Sequence, residues 1–198
     1  MKYYIEIAIF DESKDITSIW SKLYMQLHLA LVATKNSDNT SNVGFYFPEY
    51  HYNHIHGIGC IGSRIRLFSR NKQDLMKTMA ALDISQLNKN LHLHNLTEVP
   101  HEGILGYAMF VRQQDKANPE RLARRYHKRH SNLKYENILN IYKNSAKNST
   151  LPHITMNSLT NKSTFSIFLK KKNVDAFPLG NGKFTTYGLA IETPIPEF

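Results

Sequence analysis

The stretch "KYYIEIAIF" (residues 2–10), followed by "TSIWSKLYMQLHLALVAT" (residues 17–34), decides the fold class. In the first, apolar and polar residues alternate, which predicts a β-strand with one buried face. In the second, Trp20, Leu23, Tyr24, Leu27 and Leu31 recur at helical spacing, which predicts an amphipathic helix. Working outward, "KNSDNTSN" (35–42) is a polar loop. "VGFYF" (43–47) is a short strand ended by Pro48, and "RIRLFS" (64–69) is another. "NKQDLMKTMAALD" (71–83) predicts a helix with Asn71 as N-cap and Leu75, Met76, Met79 and Leu82 on one face. "LHLHNLTEV" (91–99) predicts a strand. The order β-α-β-β-α-β is the split, ferredoxin-like arrangement, in which two apolar helices cover one face of a four-stranded sheet. The expected class is α+β, with a ferredoxin-like domain over residues 1–100.

After Pro100 the pattern changes. "GYAMFVRQ" (106–113) predicts a strand, "LKYENILNIYKNS" (133–145) a helix, and "HITMNSL", "TFSIFLKK" and "FTTYGLA" (184–190) further strands. "PLGNGK" (178–183) reads as a turn. A second α+β domain is expected over residues 101–198.

Charge separates the same two halves. Residues 1–100 hold 10 Lys and Arg against 9 Asp and Glu, whereas residues 101–198 hold 15 against 7, so the second half carries +8 of the formal +9. That asymmetry points to a polyanion-binding surface in the second half. There is no apolar run of the roughly 18 residues a membrane helix needs, and the alternating N-terminal stretch does not read as a signal peptide. The single cysteine, Cys60, excludes an internal disulfide and a cysteine-built zinc site and fits a reducing cytoplasm.

The charge concentrates in "NPERLARRYHKRH" (118–130). Asn118 at N-cap, Pro119 at the first helical position and Glu120 in the first turn form a helix start. At about 100° per residue, Arg121, Arg124, Arg125, Lys128 and Arg129 fall within an arc of roughly 140°, with Leu122 and Tyr126 on the flank. A charge run is more often a solvated face, but such faces interleave Glu with Lys at i,i+4. Five like charges on one face repel, and an anion offsets that cost, so we read a nucleic-acid contact. Arg112 and Gln114, at i,i+2 in an extended segment, point the same way. Arg reads guanine O6 and N7, and Gln reads adenine N6 and N7.

His28, inside an otherwise apolar helix, is by itself a core histidine. With Ser158 in "TMNSL" and Tyr187 in "FTTYGLA" it gains another reading. An imidazole, which titrates close to neutral pH, can take the proton of a ribose 2′-OH. A serine can hold the ribose in line. Two other patterns carry less. "GIGCIG" (57–62) fits G-x-G-x-x-G but lacks the strand before and helix after that a dinucleotide fingerprint needs. His51, His54, His56, His92 and His94 have no carboxylate at matching spacing, so we expect no metal there. Lys170, Lys171 and Lys172 alternate across a strand and add to the basic field.

Five segments in order, "KLYMQLHLALVA", "VGFYFPE", "VRQQDKANPERLARRYHKRH", "LPHITMNSLTNKSTFSIFLK" and "FTTYGLA", resemble the repeat-processing endoribonucleases of type I-F CRISPR systems. The resemblance spans nearly the whole chain. It implies a ferredoxin-like N-terminal domain, an RNA-binding C-terminal domain, and cleavage of precursor CRISPR RNA at the 3′ base of a repeat stem-loop. The 2′-OH would attack without metal or other cofactor, leaving a 2′,3′-cyclic phosphate and a 5′-OH. It further implies that His28 is the general base, that Ser158 positions the ribose, and that Tyr187 orients His28 or the scissile nucleotide. Arg112 and Gln114 would read the stem foot, Phe165 would stack on the terminal pair, and the basic helix would lie in the stem's major groove. An A-form major groove is too deep and narrow to read, so the helix would supply phosphate contacts and register. Ala123 and Lys128 stand where the family pattern has arginine. Members keep their product and join an RNA-guided surveillance complex. The alternatives are a non-catalytic hairpin-binding subunit, a metal-dependent nuclease, and a general double-strand RNA binder.

Overall fold

The computed structural model describes residues 1–10, 16–113, 119–145, 149–158, 163–174 and 181–198. The chain is α+β and divides into two compact units, one formed by Met1–Arg112 with Leu151–Phe198, the other by Gln113–Thr150. Among the described residues no helix is long and apolar enough to cross a membrane.

In the first unit, strand β1 (Tyr3–Ile9) buries Ile5, Ile7 and Ile9. Helix α1 (Ile16–Ala33) buries Trp20, Leu23, Tyr24, Leu27 and Leu31, the stripe its spacing predicts. Strands β2 (Gly44–Tyr46), β5 (Arg64–Ser69) and β6 (Leu91–Leu93) join β1 in the order β2-β5-β1-β6, and β7 (Thr97–Glu98) also pairs with β1. β1 runs antiparallel to β5, with Tyr3 opposite Ser69, and to β6, with Ile7 opposite Leu93. The expected single strand over 91–99 is thus two short ones. Between β2 and β5 lies a hairpin, β3 (His51–Asn53) and β4 (Ile58–Cys60), that the sequence did not announce. Its residues are mostly exposed, so no apolar period marks them.

Helix α2 (Lys72–Ala80) packs on β5 and on α1. Asn71 occupies the N-cap position, but its amide donates to the Asp74 carboxylate rather than accepting from the backbone. Leu75 and Thr78 are the buried residues of α2, and Met76 is 56% exposed. The expected face is therefore rotated toward Thr78, whose hydroxyl donates to the Asp74 carbonyl and so can be buried at little cost.

A second sheet has the order β11-β8-β10-β9, formed by β8 (Gly106–Gln113), β9 (His153–Asn157), β10 (Thr164–Val174) and β11 (Ile195–Glu197). α1 packs along β9. Tyr24, Phe45, Phe47, Phe68, Phe110 and Phe184 are fully buried in one continuous core shared by both sheets. Each such side chain contributes about 1.5–3 kcal/mol by leaving water.

"FTTYGLA" is not the expected strand. It is a turn closed by bridges of Phe184 to Ser41 and to Ala190. Gly188 has φ 70°, which breaks the extended run, and its N–H donates to the Thr185 carbonyl at 2.8 Å. The Phe45 N–H donates to the Gly188 carbonyl at 2.7 Å, docking the turn on β2.

The second unit contains α3 (Pro119–His127) and α4 (Tyr135–Ser145), which pack on each other. Among its described residues, Ala123 of α3 and Ile138 of α4 are the buried apolar ones. Tyr126 and Tyr142 meet edge to face at 6.3 Å.

Candidate functional site

His28 follows Tyr24 by one helical turn on α1, so both side chains face the 184–190 turn. Tyr24 is fully buried, and its hydroxyl donates to the Tyr187 carbonyl at 2.8 Å. Burial, then the neighbouring Tyr187, pushes the Tyr24 phenol upward, so it stays a neutral donor. His28 is half-buried, with Nδ1 2.9 Å from the Thr186 carbonyl oxygen. A carbonyl only accepts, so Nδ1 carries a proton in this contact, which leaves Nε2 as the lone-pair nitrogen of the neutral tautomer. The His28 and Tyr187 rings stack with centroids 4.0 Å apart and planes 4° off parallel. One bond and one stack therefore fix the imidazole, and both come from the same turn. Chemically, an imidazole so held can take a proton at Nε2.

Ser158 follows the last residue of β9, the strand that packs along α1, and is half-buried. Its N–H donates to the Ser163 carbonyl at 2.7 Å. The structure thus brings His28 and Tyr187 into contact and sets Ser158 at the end of a strand against the His28 helix.

Arg112 is exposed near the end of β8. Its guanidinium lies 6.0 Å from the ring centroid of Phe165 on the neighbouring β10, within reach of a cation–π contact. An aromatic face and a guanidinium fork side by side suit an exposed base pair. Gln114 and Asn118 lie outside the described residues.

On α3, Arg121, Arg124 and Arg125 are exposed, and the buried Ala123 lies on the opposite side. Glu120 in the first turn and Arg124, Arg125 and His127 in the last complement the helix dipole. The helix is shorter than expected, ending at His127. The Lys128 N–H still donates to the Arg124 carbonyl, but the Arg129 N–H reaches back only three residues, to Tyr126. The last turn tightens, leaving Lys128 and Arg129 exposed in a turn. Ala123 is fully buried, and a guanidinium there would meet the helix's packed side.

Two contributors were not foreseen. Tyr24 read only as core, although its position four residues before His28 was visible. Thr186 acts through its carbonyl oxygen, which leaves no side-chain signal at all.

A family model described as "CRISPR-associated protein (Cas_Csy4)" matches residues 4–198. The chain is 27% identical over 203 residues to a protein of Escherichia coli (strain UTI89 / UPEC) named "CRISPR-associated endonuclease Cas6/Csy4", all of both chains being covered. It is 28% identical over 199 residues to a protein of the same name from Pseudomonas aeruginosa (strain UCBPP-PA14), again over all of both chains.

Proposed function

This chain belongs to the Cas_Csy4 family of CRISPR-associated proteins, and from that premise we propose that it is the endoribonuclease that processes precursor CRISPR RNA. The observation that carries the mechanism is the fixed imidazole of His28, with Nδ1 on the Thr186 carbonyl and its ring flat on Tyr187. His28 Nε2 takes the proton of the 2′-OH at the foot of the repeat stem. The 2′-oxygen bonds to the adjacent phosphorus, the bond from phosphorus to the 5′-oxygen breaks, and that oxygen takes a proton from solvent. The products are a 2′,3′-cyclic phosphate and a 5′-OH. Ser158 holds the ribose in line, a contribution of orientation. Tyr187 holds the imidazole plane. The chemistry uses side chains only, without metal.

Residues 1–100 supply the base, and the strand order β2-β5-β1-β6 with α1 and α2 supports a ferredoxin-like arrangement for them. Residues 101–198 grip the RNA. Arg112 and Gln114 read base edges at the stem foot, and Phe165 stacks on the terminal pair. Arg121, Arg124, Arg125, Lys128 and Arg129 bind phosphates. The protein keeps the hairpin product and, in the cytoplasm, joins the other subunits of the type I-F surveillance complex.

The test is to mix the purified protein with its repeat RNA in EDTA. We expect cleavage at one site with a cyclic phosphate end. His28→Ala should bind the hairpin as tightly as the wild type and cut it at least about 100-fold more slowly. Cleavage at the native rate by that variant removes His28 from the base role; tight binding without any cleavage by the wild type leaves a hairpin-binding subunit.

A further inference from the structure

We propose that the cleft between α1 and the segment after α2 receives an unpaired nucleobase, that of the nucleotide immediately 3′ of the scissile phosphate. The proposal rests on the nuclease reading above and adds a subsite to it. The cleft holds about 300 Å³. Met25 and Gln26 line it from α1, Ile84, Gln86 and Leu87 from the segment after α2, and Asn157 from the end of β9.

Position is the first argument. Ser21, which also lines the cleft, Met25 and His28 stand at i, i+4 and i+7, a single stripe of α1. At about 1.5 Å of rise per residue, Met25 lies only about 4–5 Å along the helix from His28. Asn157 directly precedes Ser158. The cleft wall therefore includes the residue three before the proposed base and the residue directly before the proposed ribose holder. The paired stem lies 5′ of the reacting phosphate and is served by Arg112 and Phe165. The chain that leaves on the 3′ side is single-stranded, and its first base needs a place to go.

Chemistry is the second argument. Met25, Ile84 and Leu87 give an apolar bed on which one base face can lie. Gln26, Gln86 and Asn157 carry amides that can both donate to and accept from a base edge. Lys22 and Asp83 also line the cleft, one charge of each sign, so the lining offers no net positive field for a phosphate and the apolar bed and amides decide the ligand. The hydrogen bonds from Ser85 hold the Asp83 carboxyl below its ordinary range, so it remains anionic.

The test uses two repeat hairpins that differ only at the first nucleotide after the cleavage point, one with a normal base and one abasic. Under single-turnover conditions the wild type should cut the abasic RNA about tenfold more slowly, the scale of one lost stacking contact. Ile84→Ala/Gln86→Ala should cut the normal RNA about tenfold more slowly and no longer distinguish the two. Its affinity for a hairpin ending at the cleavage point should be unchanged. Gln86→Ala alone changes one exposed side chain and should lose about threefold of the discrimination, which keeps the test valid if the double variant melts early. Equal wild-type rates on both RNAs, or variant and abasic losses that simply multiply, overturn the subsite and leave the nuclease intact. No cleavage of either RNA by the wild type overturns the nuclease reading and the subsite with it.

Discussion

Replacing Tyr24 with Phe deletes one oxygen atom from a fully buried side chain, and the consequence can be worked out in advance. The hydroxyl is the donor to the Tyr187 carbonyl at 2.8 Å. Without it a partly buried acceptor has lost its partner, a cost of about 1–3 kcal/mol. In a chain of this size each kcal/mol lowers the midpoint by about 2–4 °C, so Tyr24→Phe should melt about 2–12 °C early. The carbonyl belongs to the turn that gives His28 both its hydrogen bond and its stacking partner. A displacement of about 1 Å in a catalytic group costs on the order of 100-fold in rate. We therefore predict a 10- to 100-fold slower single-turnover cleavage, with hairpin affinity unchanged because none of the side chains proposed to bind RNA is altered. The assay pairs a melting curve with cleavage rates measured at saturating protein. A variant that melts early yet cuts at the native rate refutes the reasoning, since the bond would then serve stability alone.

Gly188→Ala puts a side chain at φ 70°, and its Cβ would come within 2.3 Å of the Phe45 ring. Strain of about 1–2 kcal/mol and overpacking of about 1–3 kcal/mol should add in urea unfolding. Gly103→Ala, at φ 79° in open space, should show the first term only. Arg125→Ala should weaken hairpin binding and reduce the slope of log affinity against log salt by about one unit; an unchanged slope means Arg125 meets no phosphate. The hydrogen bond from Lys183, then those from Thr40, hold the Asp38 carboxyl down at about 2. Because the folded value lies below the unfolded one, near 3.9, the stabilisation is complete above about pH 4 and fades as pH falls toward 2. Asp38→Asn should thus be less stable than the wild type at pH 6, with the gap shrinking as pH falls toward 2 and closing below it, and a gap that stays constant from pH 6 to pH 2 contradicts the assignment.

The helices were legible wherever one face alone is apolar. Trp20, Leu23, Tyr24, Leu27 and Leu31 mark α1 because each turn repeats the same requirement. Spacing places Met76 on the packed face, but Thr78, polar by composition, is buried in its stead through a local bond to the Asp74 carbonyl. "FTTYGLA" alternates like a strand, and only the positive φ of Gly188 makes it a turn, a backbone property that composition does not display. β11 contains Pro196, a residue that gives no strand signal but is tolerated at the edge of its sheet, where a missing N–H need not break a ladder bond. In the site, the residue types His28, Ser158 and Tyr187 were visible. The flat stack and the carbonyl of Thr186 were not, since they depend on contacts between distant parts of the chain.

The bond from His28 to Thr186 joins residues 158 positions apart, and that from Tyr24 to Tyr187 spans 163. During translation the histidine of α1 lacks these two contacts until the segment carrying Thr186 and Tyr187 has been made. A nascent or prematurely terminated polypeptide ending before residue 184 carries the imidazole without the turn that aims it.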